Sequence, residues 1–341
     1  MSGSLKDFVK TVKGNVPISE LGLTLTHEHL SLDYEKFYLQ PPAQLKLALD
    51  ATIRLDTVGF IKQYPYSNYD NIKFYNVHSE ILEEMKRYKK FGGGTIVENT
   101  SNGLKRDLEL MKKVADTGVH VIAGTGYYVE HSQPSGDRRL SVEEMCDTIR
   151  KEMSFCGFIG EVGSSWPITE FERRSIQATG IMQDELKCSV SFHPGRDNYA
   201  PEEIMRIYTE AGGSAEKAIM SHVERTLSNV EQILEFSNLN CYCQFDLFGI
   251  ECSFYQFNVK QDMPSDAQRI DYIKALIEEK KLEKILVSHD IHTKHRLSHY
   301  GGHGYSHLIT NVFPQMKNKG MQDDQINQIS IKNPSKWLSK S

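Results

Sequence analysis

From about residue 94 onward, short runs rich in Val, Ile and Phe alternate with longer charged segments of helical period. This is the pattern of repeated β-α units around a parallel sheet. Strands are predicted in GTIVENT from Gly94, HVIAGTGYY from His120, GFIGEVG from Gly157, CSVSFHPG from Cys188, AIMSHVER from Ala218, CYCQFDLFG from Cys241 and ILVSHDIH from Ile285. LTLTHEHL from Leu23 supplies an eighth. Helical segments such as LKRDLELMKKVADTG, TEFERRSIQATGIMQDEL and DAQRIDYIKALIEEKK lie between them, with another from about Val77 to Lys90. Eight units of this kind predict a closed (β/α)8 TIM barrel. The rival, an open doubly wound sheet, wants an early glycine-rich dinucleotide turn, and no G-x-G-x-x-G occurs. Gly92, Gly93 and Gly94 precede a strand and read as a helix C-cap and turn.

The stretch 31–75 is long for a βα loop and rich in Tyr, Phe and Pro. A lid over the barrel mouth and a plain surface insertion are both open there. The 341 residues, 39% hydrophobic and 25% charged, with no linker composition, are read as one domain, 1–341.

A net charge of -5 shows no basic stripe for nucleic acid. No apolar run approaches the roughly 20 residues that span a bilayer, and the polar start Met1, Ser2, Gly3, Ser4 lacks a signal-peptide core. Six cysteines in so long a chain do not form a disulfide framework, so the cytoplasm is the expected compartment. A homodimer is compatible with the sequence, which does not fix the oligomeric state.

Polar residues capable of metal chemistry recur at or near the C-terminal ends of the predicted strands, where such barrels build active sites. They are His27 and His29 on the first, Glu161 on the fourth, His193 on the fifth, His222 on the sixth and Asp290 on the eighth. In His27-x-His29 the strand period of two turns both side chains to one face. Imidazole and carboxylate donors suit zinc or a neighbouring divalent transition metal, and a shared carboxylate lets two ions sit about 3.5–4 Å apart. Such a pair supports attack of hydroxide on a polarised carbonyl or phosphoryl centre. Asp290 is the expected general base. His292 shares its inward face, whereas His289 is expected to point to the helices. Arg196, two residues beyond Pro194, can present a planar cationic fork to an anion; Tyr128, Glu98 and His292 are further candidates for the pocket wall.

TLTHEHL, GEVGSSW, SFHPGR, SHVERT, QFDLFG and SHDIHTKHRLSHYGGHGYSH together resemble the phosphotriesterase-related family within the amidohydrolase superfamily, over nearly the whole chain. The resemblance implies that His27, His29 and Asp290 hold a buried metal, His193 and His222 a more exposed one, and Glu161 bridges them. Bacterial phosphotriesterases carry a carboxylated lysine at that bridge; a glutamate is shorter, so its strand or the metals must lie closer. The resemblance also implies amide hydrolysis of an anionic small molecule, an N-acyltaurine such as N-acetyltaurine, with Arg196 seating the sulfonate. A lactonase or phosphotriesterase, and a barrel without chemistry that serves as a binding protein, remain the alternatives.

Overall fold

The computed structural model describes residues 8–253 and 255–340. The polar start at Met1–Ser4 and the outer limits of the 1–341 domain fall outside them. A short antiparallel hairpin, β1 (Phe8–Thr11) and β2 (Gly14–Pro17), leads into eight parallel strands. These are β3 (Leu23–Glu28), β4 (Gly93–Glu98), β5 (His120–Thr125), β6 (Phe158–Gly163), β7 (Val190–His193), β8 (Ala218–Met220), β9 (Tyr242–Phe245) and β10 (Ile285–Val287). Each pairs with its sequence neighbour, in the order β3 to β10. The first and last strands meet through Ser288, whose Oγ donates to His27 O at 2.8 Å and accepts from His27 N at 3.0 Å, and through Asp290 N donating to the same carbonyl at 3.1 Å. The (β/α)8 barrel follows, with helices including His78–Lys90, Glu170–Leu186 and Asp266–Glu278 around it.

Two of these helices begin at capping boxes, Thr169 with Glu172 and Ser265 with Gln268, which satisfy backbone N–H groups that a first turn leaves free. Neighbouring strand residues belong to different cores. Val97, Ile122, Phe158, Ile219, Tyr242 and Leu286 fill the barrel interior with Trp337. Ile96, Val121, Ile159, Met220, Cys243 and Val287 belong to the larger apolar cluster that includes the helix residues. This is the alternation that a strand buried on both faces produces.

The glycine run differs from the expectation. Gly92, with φ of 99°, makes the turn, but Gly93 and Gly94 already belong to β4. A Cβ on Gly94 would lie 2.2 Å from Leu21 O and one on Gly93 2.4 Å from the Tyr88 ring, so close backbone approach is what these positions need. The 31–75 segment is not a bare loop: it contains short helices at Lys46–Leu49 and Val58–Gln63. Tyr34, Pro65 and Tyr66 from it line the cavity at the barrel mouth. No helix among the described residues is long and apolar enough to cross a membrane.

The opposite end of the barrel is closed by the C-terminal helix Asn333–Leu338. Trp337 is fully buried edge-on to Phe158, its Nε1 donates to Lys217 O at 3.0 Å, and Ser189 Oγ donates to its carbonyl. Trp337→Ala is expected to cost about 3–5 kcal/mol of stability through the cavity it leaves. Denaturant titration checks this, with the midpoint falling while metal content of the folded protein is unchanged.

Candidate metal centre

Two of the proposed ligands reach the barrel axis only because the sheet is irregular. Leu25 pairs with Ile96 and therefore faces the helices, so a strict period of two would turn His27 outward. The register shift between Leu25 and Glu28 turns it inward. Glu161 follows Ile159 in the same way, with a shift between Ile159 and Val162. His222 and Asp290 lie just past their strands and adopt left-handed backbone, φ of 55° and 52°. That conformation costs a non-glycine residue of order 1–3 kcal/mol and concentrates where a side chain must be aimed.

The six residues converge. His29 Nε2 lies 3.4 Å from Glu161 Oε1 and 3.2 Å from Asp290 Oδ1. His27 Nε2 lies 3.5 Å from Glu161 Oε2 and 3.7 Å from Asp290 Oδ1. His193 Nδ1 lies 3.1 Å from Glu161 Oε2 and 3.0 Å from His222 Nε2. Two donor sets result, His27 with His29 and Asp290, and His193 with His222 and Glu161. The Glu161 carboxylate faces the histidines of both, which supports the bridging position despite its short side chain.

Surrounding groups fix which nitrogen each imidazole presents. Asp246, past the end of β9, receives His222 Nδ1 on Oδ1 at 2.7 Å, and its Oδ2 lies 3.0 Å from His27 Nδ1, which Ser221 Oγ and Gln244 Nε2 also approach, at 3.0 and 3.2 Å. His29 Nδ1 meets Thr100 Oγ1 at 2.9 Å. A carboxylate or hydroxyl behind one ring nitrogen leaves the other as a lone pair. His27 Nε2 is fully buried and has no hydrogen-bond partner. An orphaned imidazole lone pair among two carboxylates and three more imidazoles is what a divalent cation satisfies, so the residues fit a binuclear centre.

The charge balance agrees. Burial alone would lower His27 and raise Glu161. The anions Glu161 and Asp246 instead hold His27 well above its usual value, so the cluster draws positive charge onto a ring that must release a proton to serve as a ligand, and His27 and His193 hold Glu161 well below the carboxylate range. Burial likewise opposes ionisation of Asp290, but His292 and His29 hold it well below its ordinary value. Burial lowers His193 and His222, keeping both neutral as ligands must be.

Of the remaining expected residues, Arg196, Tyr128 and His292 line the cavity over the cluster. Tyr128 Oη lies 3.3 Å from His193 Nε2. His292 places Nδ1 3.2 Å from Asp290 Oδ1, and its Nε2 faces Tyr66 Oη at 3.1 Å. Arg196 donates from Nε to Tyr255 Oη at 2.8 Å. Glu98 is placed elsewhere: it shares the outward face of Ile96, and its carboxylate accepts from Leu30 N, Thr100 N and Thr100 Oγ1. His289 also faces away, toward Glu28 and Leu308 N.

Sequence reasoning missed Asp246, Tyr66 and Arg225. Asp246 had a readable signal, since QFDLFG puts an acid at a strand end as SHD does. Tyr66 had none, because the long loop that delivers it has no period. Arg225 sits three residues beyond His222 in SHVERT and lines the cavity with Arg196 and Arg296.

The chain is similar to known proteins in sequence and in fold. Residues 7–338 match the sequence profile of the phosphotriesterase family. Phosphotriesterase-related proteins of Drosophila persimilis and Aedes aegypti are 51% and 49% identical to the chain, each alignment covering 97% of it and 98% of the relative. A resiniferatoxin-binding protein from Rhodobacter sphaeroides superimposes with a TM-score of 0.93 at 28% identity, over 98% of this chain and 95% of that one. The phosphotriesterase homology protein from Escherichia coli, solved with phosphate in its active site, shares the fold with a TM-score of 0.77 at 23% identity, over 94% of this chain and 99% of that one.

Asp246→Asn replaces one acceptor oxygen by a donor, so either His27 or His222 loses its partner. Metal affinity is expected to fall about 10–100-fold. Chelator competition measures it, and unchanged affinity would remove Asp246 from the centre.

Proposed function

The chain belongs to the phosphotriesterase family, and on that premise we propose that it is a two-metal hydrolase that cleaves the linear amide of N-acyltaurines such as N-acetyltaurine. The observation that carries the substrate class is the pairing, in one cavity, of the binuclear ligand set with the Arg196 guanidinium. Arg196 is held by Tyr255 Oη and packs over the Phe257 ring at 4.7 Å, with no carboxylate partner among the described residues. A half-buried cation without a counter-ion favours a ligand that supplies the anion, and a guanidinium takes a sulfonate or carboxylate through a planar fork.

Zinc, or a similar divalent ion, is the metal these nitrogen and oxygen donors suit. When bound, a pair of such ions supplies Lewis-acid polarisation and acidifies water. The protein's own part is proton handling and orientation. Asp290 Oδ1 faces the centre and accepts the proton of the attacking water; as the C–N bond breaks, the same oxygen returns it to the leaving amine nitrogen. His292 Nδ1 lies 2.8 Å from Asp290 O as well as near Oδ1, while its Nε2 accepts from Tyr66 Oη. His292 therefore serves as a neutral donor that holds the Asp290 carboxylate in place. The six cysteines are free thiols, which supports a reducing compartment, the cytoplasm.

Parallel assays on N-acetyltaurine, a lactone and an aryl phosphotriester, with metal analysis of the purified chain, test the reading. Turnover of the ester-type substrates alone would replace it by a lactonase or phosphotriesterase, and absence of bound metal by a binding barrel.

Asp290→Asn keeps an oxygen ligand and loses the base, so kcat is expected to fall by about two to four powers of ten with at least one metal retained. Near-normal kcat at full metal content would remove Asp290 as base. Arg196→Met is expected to raise KM for N-acetyltaurine about 10–100-fold and to leave a neutral amide little changed. Equal losses on both substrates would make Arg196 a support for the loop after His193.

A further inference from the structure

A second guanidinium lines the same cavity and, like Arg196, is not itself one of the candidate ligands. Arg225 is buried; Nη1 donates to Thr226 Oγ1 at 3.1 Å and Nη2 to Pro194 O at 3.2 Å. Among the described residues it has no carboxylate partner. Its Cζ lies 5.6 Å from the centre of the Tyr255 ring, the same distance as Arg196 Cζ from that ring. Two cations around one aromatic ring, neither neutralised by the protein, repel one another unless an anion lies between them. A merely structural arginine at this depth would be expected to carry its own acid, as Arg269 does with Asp266 at 2.8 Å.

Arg225 also stands at a defined place relative to the chemistry. Its Nη2 lies 3.4 Å from His193 Nε2, on the far side of the imidazole whose Nδ1 enters the cluster. On that side the ring meets the Arg225 guanidinium and the Tyr128 hydroxyl.

The geometry points to Arg225 as the specificity-determining residue of the site: with Arg196 it forms a two-guanidinium clamp for the anionic end of the substrate. This rests on the amide-hydrolase reading for the bond cleaved, but not for the anion bound. The clamp lies one imidazole beyond the ligand cluster, so it selects amides whose anionic group is joined to the nitrogen by a short linker. An amide lacking the anion leaves both cations unpaired and is rejected on that ground.

The test separates anion binding from catalysis. Ethanesulfonate, which carries the anion and no amide, is titrated calorimetrically into the metal-loaded protein and its variants, with metal content measured alongside. Arg225→Met is expected to weaken binding about 10–100-fold at unchanged metal content, and Arg225→Lys to recover part of it, because an ammonium replaces the fork by a point charge. KM for N-acetyltaurine should rise in the same order while kcat changes little. Unaltered ethanesulfonate affinity in either variant overturns the clamp, as does failure of the wild-type protein to bind ethanesulfonate. Loss of metal in both variants also overturns it and makes Arg225 a support for His193. If Arg225→Met fails to fold, Arg225→Lys decides alone, through weakened or unweakened binding. Wild-type protein that binds ethanesulfonate but does not hydrolyse N-acetyltaurine would defeat the amidase reading and leave the clamp standing.

Discussion

The metal site depends on one buried carboxylate. Asp246 holds the Nδ1 atoms of His27 and His222, one on each oxygen, and so turns two Nε2 lone pairs toward the same point from strands on different sides of the barrel. Its remaining acceptor capacity is used by His222 N on Oδ1 and by Gln244 Nε2 on Oδ2, and Gln244 is in turn held by Thr26 Oγ1. Burial would raise the acid, but His222 and His27 keep it well below the carboxylate range, which favours the ionised, accepting form. If this group were neutral, either imidazole could rotate or change tautomer, and the site would lose the fixed directions a cation needs.

That arrangement explains why the barrel carries strain where it does. A regular parallel strand delivers side chains alternately inward and outward, which is good for packing two cores but gives few inward positions near the rim. The register shifts at Leu25/Glu28 and Ile159/Val162 and the left-handed residues His222 and Asp290 bring additional side chains inward. Their cost is borne by the packed interior beneath them, from Phe158 to Trp337, and by the hydrogen bonds that close β10 onto β3 through Ser288. Stability and chemistry are thus divided between the two ends of one barrel.

The cavity above has a matching division. Its floor is anionic or neutral, with Glu161, Asp290 and four imidazoles, and suits cations; its wall carries Arg196, Arg225 and Arg296 and suits an anion. Arg296 is partly committed, because its Nη1 donates to the carbonyls of His289 and Asp290 and so steadies the turn bearing the base. Aromatic side chains from the long segment after β3 fill the space between, and Tyr66 reaches His292 from there. A substrate that spans floor and wall must carry an electrophilic centre at one end and a negative charge at the other.

The sequence by itself determined the barrel and marked the candidate ligands that converge in it, because both are written in local periodicity: apolar runs of strand length recur eight times, and a histidine or acid stands near the end of several. It also marked Arg196, which follows His193 by three residues. What it left undecided is direction. Counting by two from Leu25 or Ile159 sends His27 and Glu161 to the wrong face, whereas the same count from Ile96 sends Glu98 outward correctly. Those outcomes depend on which residue of the neighbouring strand each one pairs with, as Leu25 does with Ile96. Asp246, Arg225 and Tyr66 were hidden for the same reason, since their roles exist only toward residues 219 (246 less 27), 32 and 226 positions away in the chain, His27, His193 and His292. Tertiary structure decided them, because hydrogen-bond direction and the absence of a counter-ion are properties of an assembled neighbourhood that no single segment contains.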